Sequence, residues 1–157
     1  MKIKTNVGEL DVLDEDILVF NRGLPGFEEL RRFALIALNE THPIQWLVSL
    51  ENETISLPVM DPWLVRKDYD LNIPKDLLEF LGIEDKEKIL VLGIVRIPGT
   101  NPQDLTINLA APVIINLENN QGIQYIPQKS RYNLRHSIKE EMKRSKKLSG
   151  QKTDGDN

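Results

Sequence analysis

No apolar run in this 157-residue chain exceeds seven residues, and that limit narrows the fold more than any other feature. The two longest, Ile89–Val95 and Leu109–Ile115, have the length of a strand; a membrane span needs about 20 residues. Further short runs at Asp16–Phe20, Phe33–Leu38, Ile44–Leu50, Ile55–Met60, Pro112–Leu117 and Ile123–Ile126 are separated by Gly, Pro, Asn and Asp, the residues that punctuate strands. Leu105-Thr106-Ile107-Asn108-Leu109 alternates cleanly, which predicts Leu105, Ile107 and Leu109 on one face and Thr106 and Asn108 on the other. Glu118–Gly122 reads as a hairpin loop with Gly122 free to take positive φ. Pro112 lacks an N–H, so its strand begins there or runs along an edge.

Helix signals are fewer. Asn72–Gly82 carries proline near its start and glycine past its end, and Asn133–Leu148 repeats Leu134, Ile138 and Met142 every four residues. Ser149–Asn157 has no aliphatic or aromatic side chain and is expected to be disordered. The expectation is a mainly β protein: a small antiparallel β-barrel-like domain with one or two short helices. Residues 1–134 would form the β domain, and 135–157 a basic helical extension with a disordered tail.

Charge divides along the same line. Residues 1–128 hold 11 Lys/Arg against 20 Asp/Glu, a net -9, whereas 129–157 hold 9 against 4, a net +5. The whole-chain value of -4 averages two unlike parts. An acidic body steers basic macromolecules toward itself; plain solubility accounts for the charge equally well. The basic segment Arg135–Lys147 raises direct RNA binding as an alternative, opposed by the acidic body and by the lack of aromatics beyond Tyr132. The opening Met1–Asn6 leads into no apolar h-region, so a cytoplasmic protein with no membrane association is expected.

Enzyme chemistry finds little support. Cysteine is absent and there are two histidines, His42 and His136, neither with a partner at helical or strand spacing; both read as solvent-facing loop residues. A distant carboxylate pair of the glycosidase kind is the remaining hydrolytic route. Gly23-Leu24-Pro25-Gly26 lacks the lysine and helix start of a phosphate loop. No catalytic residue, metal site or cofactor is assigned.

Several stretches resemble the family of the flagellar assembly factor FliW. Phe20–Glu28 followed by Phe33–Ile36 is similar to its opening motif, Trp46–Leu50 to its strand ending in serine, and Val59–Trp63 with Tyr69 to its aspartate–proline–aromatic segment. Leu105–Asn116 is similar to its paired-strand motif, and Gly122–Gln124 and Tyr132 complete the order. The resemblance spans residues 1–135 and implies a non-enzymatic β-barrel-like domain with two protein partners, flagellin and the RNA-binding translational regulator CsrA. In that family the factor is held by new flagellin and, once free, binds CsrA and relieves its repression of flagellin mRNA. The basic Arg135–Lys147 segment inherits no role.

Candidate partner-binding positions are Asp61, Trp63, Asp68, Tyr69, Asp70, Thr106, Asn108 and Asn116. Trp63 beside Asp61-Pro62 suits an exposed anchor, and Tyr69 between Asp68 and Asp70 suits a half-exposed aromatic meeting a basic partner. Thr106, Asn108 and Asn116 either hydrogen-bond within the sheet or are offered outward.

Overall fold

The computed structural model describes residues 1–148; the expectation of disorder for Ser149–Asn157 lies outside them. A hairpin of β1 (Lys2–Thr5) and β2 (Gly8–Asp11) opens the chain. There follow β3 (Leu18–Val19), β4 (Arg32–Ala37), β5 (Gln45–Ser49), β6 (Ser56–Met60), α1 (Pro62–Val65), α2 (Lys75–Phe80) and β7 (Ile89–Arg96). The last part holds β8 (Thr106–Ile107), β9 (Val113–Asn116), β10 (Gln121–Gln124), β11 (His136–Ser137) and α3 (Ile138–Leu148).

Seven of these strands close a barrel in the order β7-β6-β5-β4-β3-β10-β9, with β9 returning to β7. The fold is mainly β, as the short runs predict. The barrel is not wholly antiparallel: β10 meets β3 in parallel, at Gln121 opposite Val19. Strand alternation explains why the runs are nearly continuous in apolar residues. In β4, Phe33 and Leu35 enter the barrel while Ala34 and Ile36 face outward under the β1–β2 hairpin. In β7, Leu90, Leu92 and Ile94 point inward while Ile89 and Val91 meet α2 through Leu77 and Leu81. Both faces of these strands are covered, so both tolerate apolar side chains.

Strand β7 forks. Its first half, Ile89–Leu92, pairs with β9, and its last residues, Val95 and Arg96, pair with β8, which in turn pairs with β11. A second apolar cluster forms beyond the barrel at this end, where Met60, Val65, Tyr69, Val95, Ile107, Leu109, Tyr132 and Ile138 are buried.

Several expectations are corrected. There are three helices among the described residues. The C-terminal one starts at Ile138, because His136 and Ser137 pair with Ile107 and Thr106 instead; Leu134 is therefore outside the stripe and 65% exposed. Of the alternating run only Thr106 and Ile107 are strand, since the Asn108 Oδ1 accepts from the Ala110 and Ala111 N–H groups, both at 3.0 Å, and bends the chain. The left-handed residue of the β9–β10 hairpin is Asn120, at φ 59°. Gly122 matters for space: a Cβ there would lie 2.7 Å from Cζ of Phe20, whose ring stacks edge-on against Phe33 at 5.4 Å.

Gly122→Ala should therefore destabilise the fold by about 1–3 kcal/mol through overpacking. Urea unfolding measures this, and the penalty should shrink when Phe20 is also replaced by Leu.

Candidate partner-binding surface

Five of the eight candidate positions come together around α1. Asp61 caps this helix, its Oδ1 accepting from the Trp63 N–H at 2.9 Å, and Pro62 sits at the first helical position, where no N–H is needed. Trp63 is 40% exposed and its neighbour Leu64 55%. The indole stays oriented because Nε1–H donates to the Tyr69 carbonyl at 2.8 Å and the two rings meet edge-on at 5.4 Å. Trp63 and Leu64 thus offer an apolar ridge with a fixed ring at its centre.

Tyr69 does not match the expectation of a half-exposed aromatic. It is 5% exposed, and its hydroxyl donates to the Leu109 carbonyl at 2.8 Å. The flanking aspartates point to solvent while the ring between them turns into the second apolar cluster. Burial, with the nearby Tyr132, pushes its phenol up to about 12. Tyr132 lies 4.8 Å away, accepts from the Asp70 N–H through its hydroxyl at 2.8 Å, and carries the Arg66 and Arg131 guanidinium groups at 4.9 and 5.3 Å from its ring centre.

Asp68 and Asp70 are less bare than the sequence implies. Asp68 receives both Arg144 nitrogens, at 2.6 and 2.7 Å, and Arg66 Nε at 3.5 Å. The hydrogen-bonded Arg144 guanidinium holds its carboxyl well below the usual carboxylate range. Asp70 pairs with Arg131 at 3.2 Å. Both arginines belong to the basic C-terminal part. Helix α3 is pinned to α1 at further points: Lys67 N–H donates to Ser145 Oγ at 3.0 Å, and that hydroxyl donates to the Val65 carbonyl at 3.2 Å. Ile138 and Met142 pack into the second cluster.

His136 also departs from expectation; its side chain is 10% exposed. Nε2 accepts the Asn133 N–H at 2.8 Å, which leaves Nδ1–H to donate to Glu141 Oε2 at 2.8 Å. The same carboxylate oxygen takes Arg66 Nη1 at 3.2 Å. His136, Glu141 and Arg66 thus form one structural network. His42 is exposed in a turn.

The other three candidates lie elsewhere. Thr106 is half-buried in β8, with its Oγ1 enclosed and without a hydrogen-bond partner. Asn108 spends its oxygen on the local turn described above. Asn116 is 1% exposed; its amide donates to the Leu81 and Gly82 carbonyls at 2.9 and 3.3 Å, and its oxygen accepts from the Glu118 N–H at 3.0 Å. It fastens the end of α2 to the barrel. Among the described residues no group of three His, Asp or Glu side chains is placed to hold a metal ion, and no helix is long and apolar enough to cross a membrane. Sequence reasoning missed Arg66, Arg131, Glu141 and Arg144. The spacing of Glu141 and Arg144 marks one helix face, but nothing local ties that face to Asp68.

Tyr69→Phe leaves the buried Leu109 carbonyl without its donor and should cost about 1–3 kcal/mol in urea unfolding. The Tyr69 phenol is raised in the fold, so its share of stability is intact below its ordinary value of 10 and is lost as pH rises toward 12. The depressed Asp68 carboxyl works the other way: its contribution is present at neutral pH and declines as pH falls below the ordinary 3.8. In Arg144→Ala the Asp68 carboxyl resonance should titrate closer to the ordinary range, whereas an unmoved midpoint would show that the pair is not formed in solution.

The FliW protein family model matches residues 2–138. The flagellar assembly factor FliW of Thermosipho africanus is 45% identical over 140 residues, covering 89% of this chain and 97% of the relative. That of Thermotoga maritima is 47% identical over 146 residues, covering 93% and 98%. A crystal structure of the flagellar assembly factor FliW superposes with a TM-score of 0.81 at 28% identity, covering 88% of this chain and 96% of the other. Family match, relatives and fold agree, and the chain belongs to the FliW family of flagellar assembly factors.

Proposed function

We propose that this chain is a non-enzymatic binding protein that engages flagellin and, when free of flagellin, binds CsrA and relieves its repression of flagellin mRNA translation. The observation that carries the reading is family membership over nearly the whole body: relatives of 45–47% identity named flagellar assembly factors. The excess of acidic residues in 1–128 suits a basic RNA-binding partner. Both partners would draw on one pool of the factor, so output follows mass action between two binding equilibria. The work is done in the cytoplasm, where flagellin is made.

The α1 surface is the proposed docking face. Trp63 and Leu64 supply the apolar anchor, with Asp61 and the Tyr69 ring holding it in place. Asp68 and Asp70 lie at its rim, where charges set association rates more than final affinity.

Titration calorimetry of the purified chain against purified flagellin and CsrA, at micromolar protein and low salt, tests the reading directly. Absence of heat with both partners overturns it. Trp63→Ala should weaken binding to a partner that uses this face by about 2 kcal/mol, or about 30-fold, with circular dichroism confirming that the barrel is retained. Asp70→Arg should slow CsrA association and reduce its salt dependence, as read by stopped-flow kinetics.

A further inference from the structure

Among the described residues, one barrel strand lacks a neighbour along part of its length. Strand β4 pairs with β5 along Phe33–Ala37, but on its other side β3 covers only Arg32 and Phe33. Continuing that register would set Asp16 opposite Leu35. Instead the chain turns away through the short 3-10 segment Asp14–Asp16. The Leu50 N–H bonds the Arg32 carbonyl, so even-numbered residues of β4 face β5, and Leu35 and Ala37 turn their N–H and C=O groups toward the vacant lane. An unpaired edge of this kind is a template for another strand.

The lane is a groove of about 220 Å³. Ala34, Leu35, Ile36, Leu90 and Leu117 line its apolar part, and Leu117 is 50% exposed. Its charged lining residues are all acidic: Asp11, Glu15 and Asp16. Asp11 already pairs with the N-terminal ammonium at 3.2 Å. Glu15 and Asp16 are exposed and make no ion pair among the described residues.

We propose that the open edge of β4 at Leu35–Ala37, with its acidic rim, takes up an extended polypeptide segment of alternating apolar and basic residues, adding one strand to the barrel sheet. Main-chain pairing to Leu35 and Ala37 supplies direction, alternate apolar side chains cover Leu35, Leu90 and Leu117, and lysine or arginine side chains meet Glu15 and Asp16. Among the described residues the groove has no cationic side chain in its lining, so an acidic or neutral segment gains nothing from the rim.

A blocked six-residue peptide alternating lysine and valine, titrated into the full chain at low salt and followed by amide chemical shifts, is the test. The expected result is saturable binding with shifts at Leu35, Ile36 and Ala37. Two changes should each weaken it about tenfold: N-methylation of alternate peptide nitrogens, which keeps charge and side chains but abolishes strand pairing, and the double variant Glu15→Lys/Asp16→Lys, both positions exposed. No binding at millimolar peptide, equal affinity for the N-methylated peptide, or shifts confined to other strands would overturn the proposal. Neither flagellin nor CsrA enters the assay, so its failure leaves the reading of the α1 face untouched, and the converse holds as well.

Discussion

Strand β7 is longer than the partner that closes the barrel, and the surface around α1 depends on that excess length. Ile89–Leu92 complete the cylinder against β9. Val95 and Arg96 continue past it and recruit β8 and then β11. Without that extension there is no platform for the second apolar cluster, and Tyr69 and Tyr132 would have nothing to pack on. Gly93 sits at the fork, where a Cβ would come within 2.6 Å of the Ile107 side chain; the missing side chain lets β8 approach as β9 departs.

The fork also settles the charge distribution. Up to Leu148 the basic C-terminal part does not hang free of the acidic body, since β11 and Ile138 lay α3 across α1. Arg144 and Arg131 then neutralise Asp68 and Asp70 locally, although each exposed pair adds little stability. Their larger effect is on the field. Acidity around Trp63 is partly cancelled by the chain itself, whereas Glu15 and Asp16 have no ion-pair partner among the described residues.

The strands that close the barrel were legible because alternation and turn residues are local signals: β4, β5, β7, β9 and β10 fall on the apolar runs. Strand β1 was not, because Lys2-Ile3-Lys4-Thr5 is nearly all polar and buries little beyond Ile3. The start of α3 departs from the sequence periodicity for a different reason. Leu134 fits a helical repeat in sequence, but backbone pairing of His136 with Ile107 overrides periodicity. Around α1, Asp61 and Trp63 were legible from the cap, proline and aromatic in succession. The burial of Tyr69 was not, since its acidic neighbours argue for exposure and its true partners, Leu109 and Tyr132, lie 40 and 63 positions away. Pairings across such distances leave no trace in one sequence.

Strand β7 contributes a residue to each of the two surfaces. Leu90 lies in the groove beside β4 and Val95 in the cluster beneath α1. Five residues of β7 separate them, about 17 Å at roughly 3.3 Å per residue. Along β4 and β5 the two come closer: Ala37 pairs with Gln45 and Gln45 with Val59, and Ile44 packs in the cluster beneath α1. The barrel interior between them is close-packed, with Leu47, Leu92 and Val113 fully buried. A close-packed core of that kind has few alternative arrangements through which to transmit a change. The shorter link runs along the sheet, from Ala37 through Gln45 to Val59, so coupling between a strand added at β4 and a ligand on Trp63 would follow that backbone pairing rather than the core.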